Sequence, residues 1–228
     1  MDPGGAPGRP AVTGLDDVYR ARFDERSRRG KTSVWAEIVA YLQRWIDPER
    51  PVLDVACDAG YFIRHVRASE RWATDIRDVS AELPADVQFV CTDGLNLRDA
   101  LPTGHFGTVF MSNYLEHLES SRQVVDQLRI AHDLLGSAGR LIVLQPNVRL
   151  VGGSYWDFID HHVALTEHSL SEAGELAGMR TVRLVTRFLP YTTKGRLPQG
   201  RRLVRFYLRF PPAWLALGRQ SLYVAERP

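Results

Sequence analysis

Three aspartates stand at the ends of short apolar runs, at a spacing that suits binding of a nucleoside. Asp54 lies in Val52-Leu53-Asp54-Val55-Ala56-Cys57, Asp75 in Trp72-Ala73-Thr74-Asp75-Ile76, and Asp93 just after Val87-Gln88-Phe89-Val90-Cys91. An acidic side chain about 20 residues after the first such turn can accept both hydroxyls of a ribose, and Asp75 stands 21 residues after Asp54. Ala56, Ala59 and Gly60 are small, so the chain can turn tightly there and let a ligand approach. Asp93 can accept a hydrogen bond from an adenine amino group, with Gly94 beside it and Leu95 packed on the ring. Ser112 and Asn113 close a fourth run and fall at the far end of such a ligand. Further on, Tyr155-Trp156-Asp157-Phe158-Ile159-Asp160-His161-His162 offers two histidines, the usual general bases near neutral pH. Each feature has an ordinary counterpart, since small residues make plain turns, aspartates cap helices and histidines bond loop backbone. The order of the four run ends, each with a fitting residue type, carries the reading.

These residues need elements to position them. Runs apolar along their whole length suit strands covered on both faces, as in a parallel sheet. Such runs are Val52–Cys57, Trp72–Ile76, Val87–Cys91, Phe106–Met111 and Leu141–Leu144. Helix candidates separate most of them, at Tyr61–Ala68 and most clearly at Ser121–Leu135, where Val124, Val125, Leu128, Ala131 and Leu135 recur at helical spacing. The alternation predicts a doubly wound α/β sheet, in which ligands bind beyond the carboxyl ends of the strands. Two N-terminal helices are expected as a cap, Asp16–Arg29 and Ser33–Trp45, with Ser33 at the start of the second. The last third reads as a helix at Leu170–Met179, a strand at Thr181–Phe188 and a short terminal strand at Leu222–Ala225.

Composition narrows the function. The chain has 228 residues, 44% hydrophobic and 25% charged, enough apolar material for a core without metal or disulfide staples. A net charge of +2 does not argue for nucleic acid. Cys57 and Cys91 suggest no disulfide framework; both are expected as buried or half-buried free thiols in a reducing, cytoplasmic setting. Residues 1–13 read as a disordered leader without the apolar segment of a secretory signal. No apolar stretch approaches a membrane span. Residues 14–228 are expected as a single domain: helices over 14–49, a cofactor-binding half over 50–147, and an acceptor-side half over 148–228. The stretch 194–219 is a basic arm, with Lys194, Arg196, Arg201, Arg202, Arg205, Arg209 and Arg219 and no acid. It reads either as a solvated arm along the sheet edge or as an attraction for an anionic acceptor or a lipid surface. Asp157, Asp160, His161 and His162 include metal-ligand types, but neighbours in sequence seldom converge on one ion, so no metal site is assigned.

The stretch Val52–Asn147 resembles the class I S-adenosylmethionine-dependent methyltransferases. The likeness is carried by Leu53-Asp54-Val55-Ala56-Cys57-Asp58-Ala59-Gly60, Ala73-Thr74-Asp75-Ile76, Phe89-Val90-Cys91-Thr92-Asp93-Gly94 and Phe106 through Leu118. A helix, glycine turn and strand at Leu134–Leu144 extend it. The resemblance implies a Rossmann-like sheet of seven strands, mostly parallel with the last antiparallel, and S-adenosylmethionine as cofactor. Asp54, Ala56, Asp58, Gly60, Asp75, Asp93, Gly94, Leu95, Ser112 and Asn113 would line its site. The first loop departs from the family, which usually has glycines where this chain has Ala56, Asp58 and Ala59. Alanine fits there if its φ stays negative, and Asp58 could meet the ammonium of the methionine moiety. The Asp and His segment before Leu165-Thr166 resembles the one that many members place over the acceptor, so His161 or His162 is expected as a base or orienting group. By family habit the acceptor is a small molecule or saccharide methylated at oxygen. The rival is a non-catalytic module that binds an anionic partner through its arm. A nicotinamide enzyme is disfavoured, because Gly-x-Gly-x-x-Gly is absent.

Overall fold

The computed structural model describes residues 25–191 and 200–228, with side chains described from Gly30 onward. The leader, residues 16–24 of the first expected helix, and Lys194 and Arg196 of the arm lie outside the described residues. Seven strands form one sheet: β1 (Val52–Val55), β2 (Arg71–Asp75), β3 (Val87–Cys91), β4 (Phe106–Ser112), β5 (Leu135–Pro146), β6 (Arg180–Leu189) and β7 (Gln220–Glu226). Their order is β3-β2-β1-β4-β5-β7-β6. Pairings from β3 through β5 are parallel, and β7 runs antiparallel to both its neighbours. The order reverses between β1 and β4, so the carboxyl ends of those strands open a crevice.

The pleat divides the core in two. Leu53, Val55, Val109, Met111, Leu141, Val143 and Tyr223 face one side, under helices α2 (Ser121–Leu134) and α3 (Glu167–Leu176). Val52, Phe110, Ile142, Leu144, Leu222 and Val224 face the other, under α1 (Glu25–Leu42), α4 (Arg201–Arg209) and α5 (Pro211–Leu217). With both faces covered, the strands must be apolar throughout, which is why they are visible in the sequence.

Four expectations are corrected. α1 is continuous from Glu25, so Ser33 lies inside the helix and does not cap it; its hydroxyl donates back to Gly30 O at 2.9 Å. The helix expected at Tyr61–Ala68 is a series of turns. Gln43 takes both backbone groups of Arg67, and Arg71 donates to Ile63 O and Arg64 O. Those side chains satisfy groups that a helix would have bonded internally, in a segment too short to repay helix nucleation. α3 begins at Glu167 rather than Leu170, because Thr166 and Ser169 form a reciprocal capping box. Cys57 is buried as expected, but Cys91 is exposed at the end of β3.

The basic arm is part of the fold. Glu37 of α1, only 6% exposed, accepts from Arg201 Nε at 2.6 Å and from Arg205 Nε and Nη2 at 2.7 Å each. Tyr41, Phe188 and Trp214 pack with ring centroids 5.2 to 5.8 Å apart. Tyr207 donates to Phe188 O, and Trp214 donates to Tyr207 O. Two of the arm's cations are therefore anchors rather than a solvated face.

The hydrogen bond from Arg205, reinforced by Arg201, holds the Glu37 carboxyl down to about 2 against the opposing effect of burial. A depressed pKa contributes stability above the unfolded value, and that contribution fades as pH falls from 4.5 toward about 2. Glu37→Gln should cost roughly 1–2 kcal/mol, less than a fully buried pair because both arginines can resolvate. Amide exchange in α4 should speed up in this variant. Wild-type stability should fall with acid in that window more steeply than the variant's, and parallel acid curves would refute the clamp.

Candidate active site

The first group of candidate site residues lies where β1 and β2 end. After Val55 the chain turns through Ala56, Asp58 and Gly60, at φ of 54°, 47° and 67°. The sequence expectation of a negative φ at Ala56 is thus overturned. Alanine and aspartate here hold the left-handed conformation that glycine adopts without strain, and the surroundings hold them in it. Asp75 Oδ2 accepts the Asp58 N–H at 3.0 Å, while Oδ1 accepts the Arg77 backbone N–H at 3.0 Å and its Nε–H at 3.2 Å. Arg77 Nη2 also reaches Asp58 Oδ1 at 3.0 Å. Beneath them Asp54, buried in β1, accepts the Ile63 N–H at 3.3 Å. Burial pushes the Asp54 carboxyl well above the usual range, and the nearby charges of Asp75 and Asp58 push it further. The same burial and acids push the Cys57 thiol up, which makes it a poor nucleophile.

The structure therefore gathers Asp54, Ala56, Asp58, Gly60 and Asp75 at one place. Arg77, which the sequence reading missed, sits among them. The only signal for it was its position two residues beyond Asp75. A carboxylate has about four lone-pair positions, and Asp75 has filled three. One ribose hydroxyl can join at Oδ2; a second needs Arg77 Nε to release Oδ1. Asp58, offered as a partner for an ammonium, is held by Arg77 in the meantime.

Asp93 lies at the neighbouring strand end, where Thr92 N donates to Asp75 O at 2.9 Å. Its Oδ1 accepts the Leu95 N–H at 2.8 Å, so it caps the single turn Gly94–Asn96. Gly94 is required by close packing: a Cβ there would stand 2.1 Å from the Tyr114 hydroxyl, which donates to Gln127 Oε1 at 2.9 Å. Leu95 packs partly buried on the core. Ser112 ends β4, and Asn113 follows at φ 49°, its amide donating to Ser112 Oγ at 3.1 Å.

A second group of polar side chains is built from the turns after β4 and β5. His162 N and Val163 N both donate to Glu116 O, at 2.8 and 3.1 Å, which ties the two turns together. His161 points inward, 8% exposed, with its ring 4.8 Å from Tyr155, 5.0 Å from Phe158 and 5.0 Å from His117. His162 is exposed. His117, not among the residues singled out from the sequence, belongs to this cluster, and its Nδ1 lies 2.9 Å from Asp160 O. Glu116 is 1% exposed and accepts the Gln145 amide at 3.1 Å. Burial pushes its carboxyl up. One ligand atom from each of Glu116, His117 and His161 lies within 4.8 Å of the others. Of the four residues first weighed as metal ligands, only His161 belongs to this convergent group. Behind it, Asn147 donates to Glu167 Oε2 and Ser221 Oγ, and Arg149 pairs with Glu167.

Clustered acids at the ends of β1 and β2 and a histidine cluster in the turns after β4 and β5 accompany the following likenesses. The family described as "Methyltransferase domain" matches residues 25–184. Among solved structures, an S-adenosylmethionine-dependent methyltransferase from Archaeoglobus fulgidus superposes with a TM-score of 0.65 at 14% identity, covering 93% of this chain and 100% of that one. One from Mesorhizobium loti gives 0.59 at 17% identity, over 84% and 98% of the two chains. A methyltransferase from Haloferax volcanii, solved in complex with the Trm112 methyltransferase activator, gives 0.67 at 16% identity over 96% and 100%. A search of curated protein sequences finds no match. With seven strands in this order and the family match spanning most of its length, the chain belongs to the class I S-adenosylmethionine-dependent methyltransferases.

Proposed function

We propose that the chain moves a methyl group from S-adenosylmethionine to an oxygen of a small molecule or saccharide. The observation that carries this reading is that two groups of polar side chains stand at the carboxyl ends of neighbouring strands: the carboxylates of Asp54, Asp58 and Asp75 at β1 and β2, and the His161 cluster in the turns after β4 and β5, with β1 paired directly to β4. The donor supplies a sulfonium methyl that is already activated, so the residues need only position and polarise the reactants.

In this reading Asp75 takes the ribose hydroxyls as Arg77 withdraws to Asp58. Ala56 and Gly60 let the methionine portion pass close to the backbone. Asp93, Gly94 and Leu95 border the adenine, and Ser112 and Asn113 the methionine end. The excess of negative charge suits a donor that carries an ammonium and a sulfonium. On the acceptor side the choice left open by the sequence falls on His161, which is buried beside Glu116; His162 is turned to solvent. His161 orients the acceptor hydroxyl, and residues 148–228 form the acceptor half. The non-catalytic reading loses weight because the arm that would bind a partner spends Arg201 and Arg205 on Glu37.

Calorimetry with S-adenosylmethionine and S-adenosylhomocysteine should show one site per chain; no heat from either at millimolar ligand would overturn the reading. Asp75→Asn should weaken S-adenosylhomocysteine at least about tenfold, the value of one hydrogen bond to a charged group, with an unchanged circular dichroism spectrum. Equal affinity would remove Asp75 from the donor site. With isotope-labelled methyl donor and a panel of hydroxylated and amine acceptors, label should appear as O-methyl product. His161→Ala should lower that rate about 100-fold or more, while His162→Ala should change it only a few-fold. Label on nitrogen alone would refute the oxygen assignment.

A further inference from the structure

We propose that Glu116, His117 and His161 form a site for a divalent first-row transition metal, which holds the acceptor hydroxyl next to the methyl donor. The role of the ion rests on the methyl-transfer reading above; its binding does not.

Geometry is the first argument. Each of the three side chains brings one ligand atom, and all lie within 4.8 Å of one another. An ion bonded at about 2.1 Å to each holds its ligands roughly 3 to 4 Å apart, so small side-chain rotations close the site. The set spans two segments, Glu116-His117 after β4 and His161 after β5. The bonds from His162 N and Val163 N to Glu116 O fix those segments to each other.

Charge is the second. Three glutamates are buried among the described residues: Glu37, Glu116 and Glu167. Glu37 is paired with Arg201 and Arg205, and Glu167 with Arg149. Glu116 is the most buried, and no arginine or lysine among the described residues pairs with it; the Gln145 amide occupies Oε2. A buried carboxylate without a cation is costly, and a bound metal ion supplies the missing charge.

The third argument is tautomer control. His117 Nδ1 faces Asp160 O at 2.9 Å and Asp160 Oδ2 at 3.5 Å, so its proton is directed there and the Nε2 lone pair is left for a metal. Ligating histidines commonly have their second nitrogen held in this manner. Two imidazoles and one carboxylate suit zinc, manganese, iron, cobalt or nickel better than magnesium or calcium, and leave positions open for substrate oxygen. A coordinated hydroxyl loses its proton to water more readily. Its oxygen then forms the O–CH₃ bond as the C–S bond breaks, and the electron pair stays on sulfur in S-adenosylhomocysteine.

The test uses tag-free full-length protein stripped with a chelator. Titration with Zn²⁺ by calorimetry, and with Mn²⁺ by electron paramagnetic resonance, should show one site per chain. Co²⁺ should give visible bands of a nitrogen and oxygen ligand set. Glu116→Gln and His161→Ala should each weaken metal at least about tenfold, while S-adenosylhomocysteine affinity stays within a few-fold. Absence of binding by the wild type to all three ions would overturn the site, as would variants that bind like wild type. Should a variant fail to fold, the Co²⁺ spectrum of the wild type decides alone. Metal binding without S-adenosylhomocysteine binding would sink the donor reading and leave this site standing; the reverse result would sink this site only.

Discussion

The Asp75 carboxylate is the junction on which the donor side depends. It fastens the Asp58 N–H, the Arg77 N–H and the Arg77 Nε–H at one point. The loop it secures contains Ala56 and Asp58 at positive φ, each a departure that costs roughly 1–2 kcal/mol in a non-glycine residue. Hydrogen bonds to a charged group are worth about as much or more, roughly 1.5–3 kcal/mol each. A family loop that usually relies on glycine is held here by an acid and its guanidinium partner. The residue that shapes the loop is also the one proposed to take the ribose hydroxyls, and in that reading loop conformation and ligand affinity are coupled through one side chain.

The acceptor side follows a similar principle with different parts. Its turns hang from β4, buried from Phe106 to Met111, and from the buried final stretch of β5, Leu141–Pro146. Glu116 accepts two backbone N–H groups from the 162–163 segment, and Tyr155 donates to Val163 O. Asn147 donates to Glu167 and also to Ser221, 74 residues further on. The loops over the crevice are thus cross-tied to the sheet, which limits how far His161 can stray from the strand ends.

Much of this was legible in the sequence, for identifiable reasons. Strands buried on both faces must be apolar along their length, so β4 (Phe106–Ser112), buried from Phe106 to Met111, is found to within one residue, as is α2; β3 is found at its observed bounds of Val87–Cys91 although it lies at the sheet edge and is only partly buried. The acids at strand ends were legible because polar residues at the close of apolar runs are conspicuous. What stayed hidden depends on partners distant in sequence. Nothing in Tyr61–Ala68 reveals that Gln43 and Arg71 will take its backbone groups. Nor does the arm announce Glu37, more than 160 residues earlier, as the anchor for Arg201 and Arg205. His117 was not singled out because its partner Asp160 lies in a turn 43 residues on. The positive φ of Ala56 belongs to the loop's tertiary bonds rather than to the residue's preference.

The buried acids sort into two groups, and the division marks the ligand-facing end of the sheet. Glu37, Glu167 and Asp75 each meet an arginine, which neutralises them and fixes an element in place. Asp54 and Glu116 meet no arginine or lysine side chain among the described residues; each has a neutral hydrogen-bond donor and a pKa pushed upward by burial. Folding alone gains nothing from leaving these two carboxyls so poorly compensated, since an apolar side chain of similar volume avoids the desolvation cost. Both lie where the parallel strands end, Asp54 under the donor loop and Glu116 among the histidines. In the proposed reading, a ligand that carries positive charge into the crevice favours their ionised forms, and that coupling adds to its affinity. The sheet thus holds an electrostatic deficit where a cationic methyl donor and its neighbour are expected to sit.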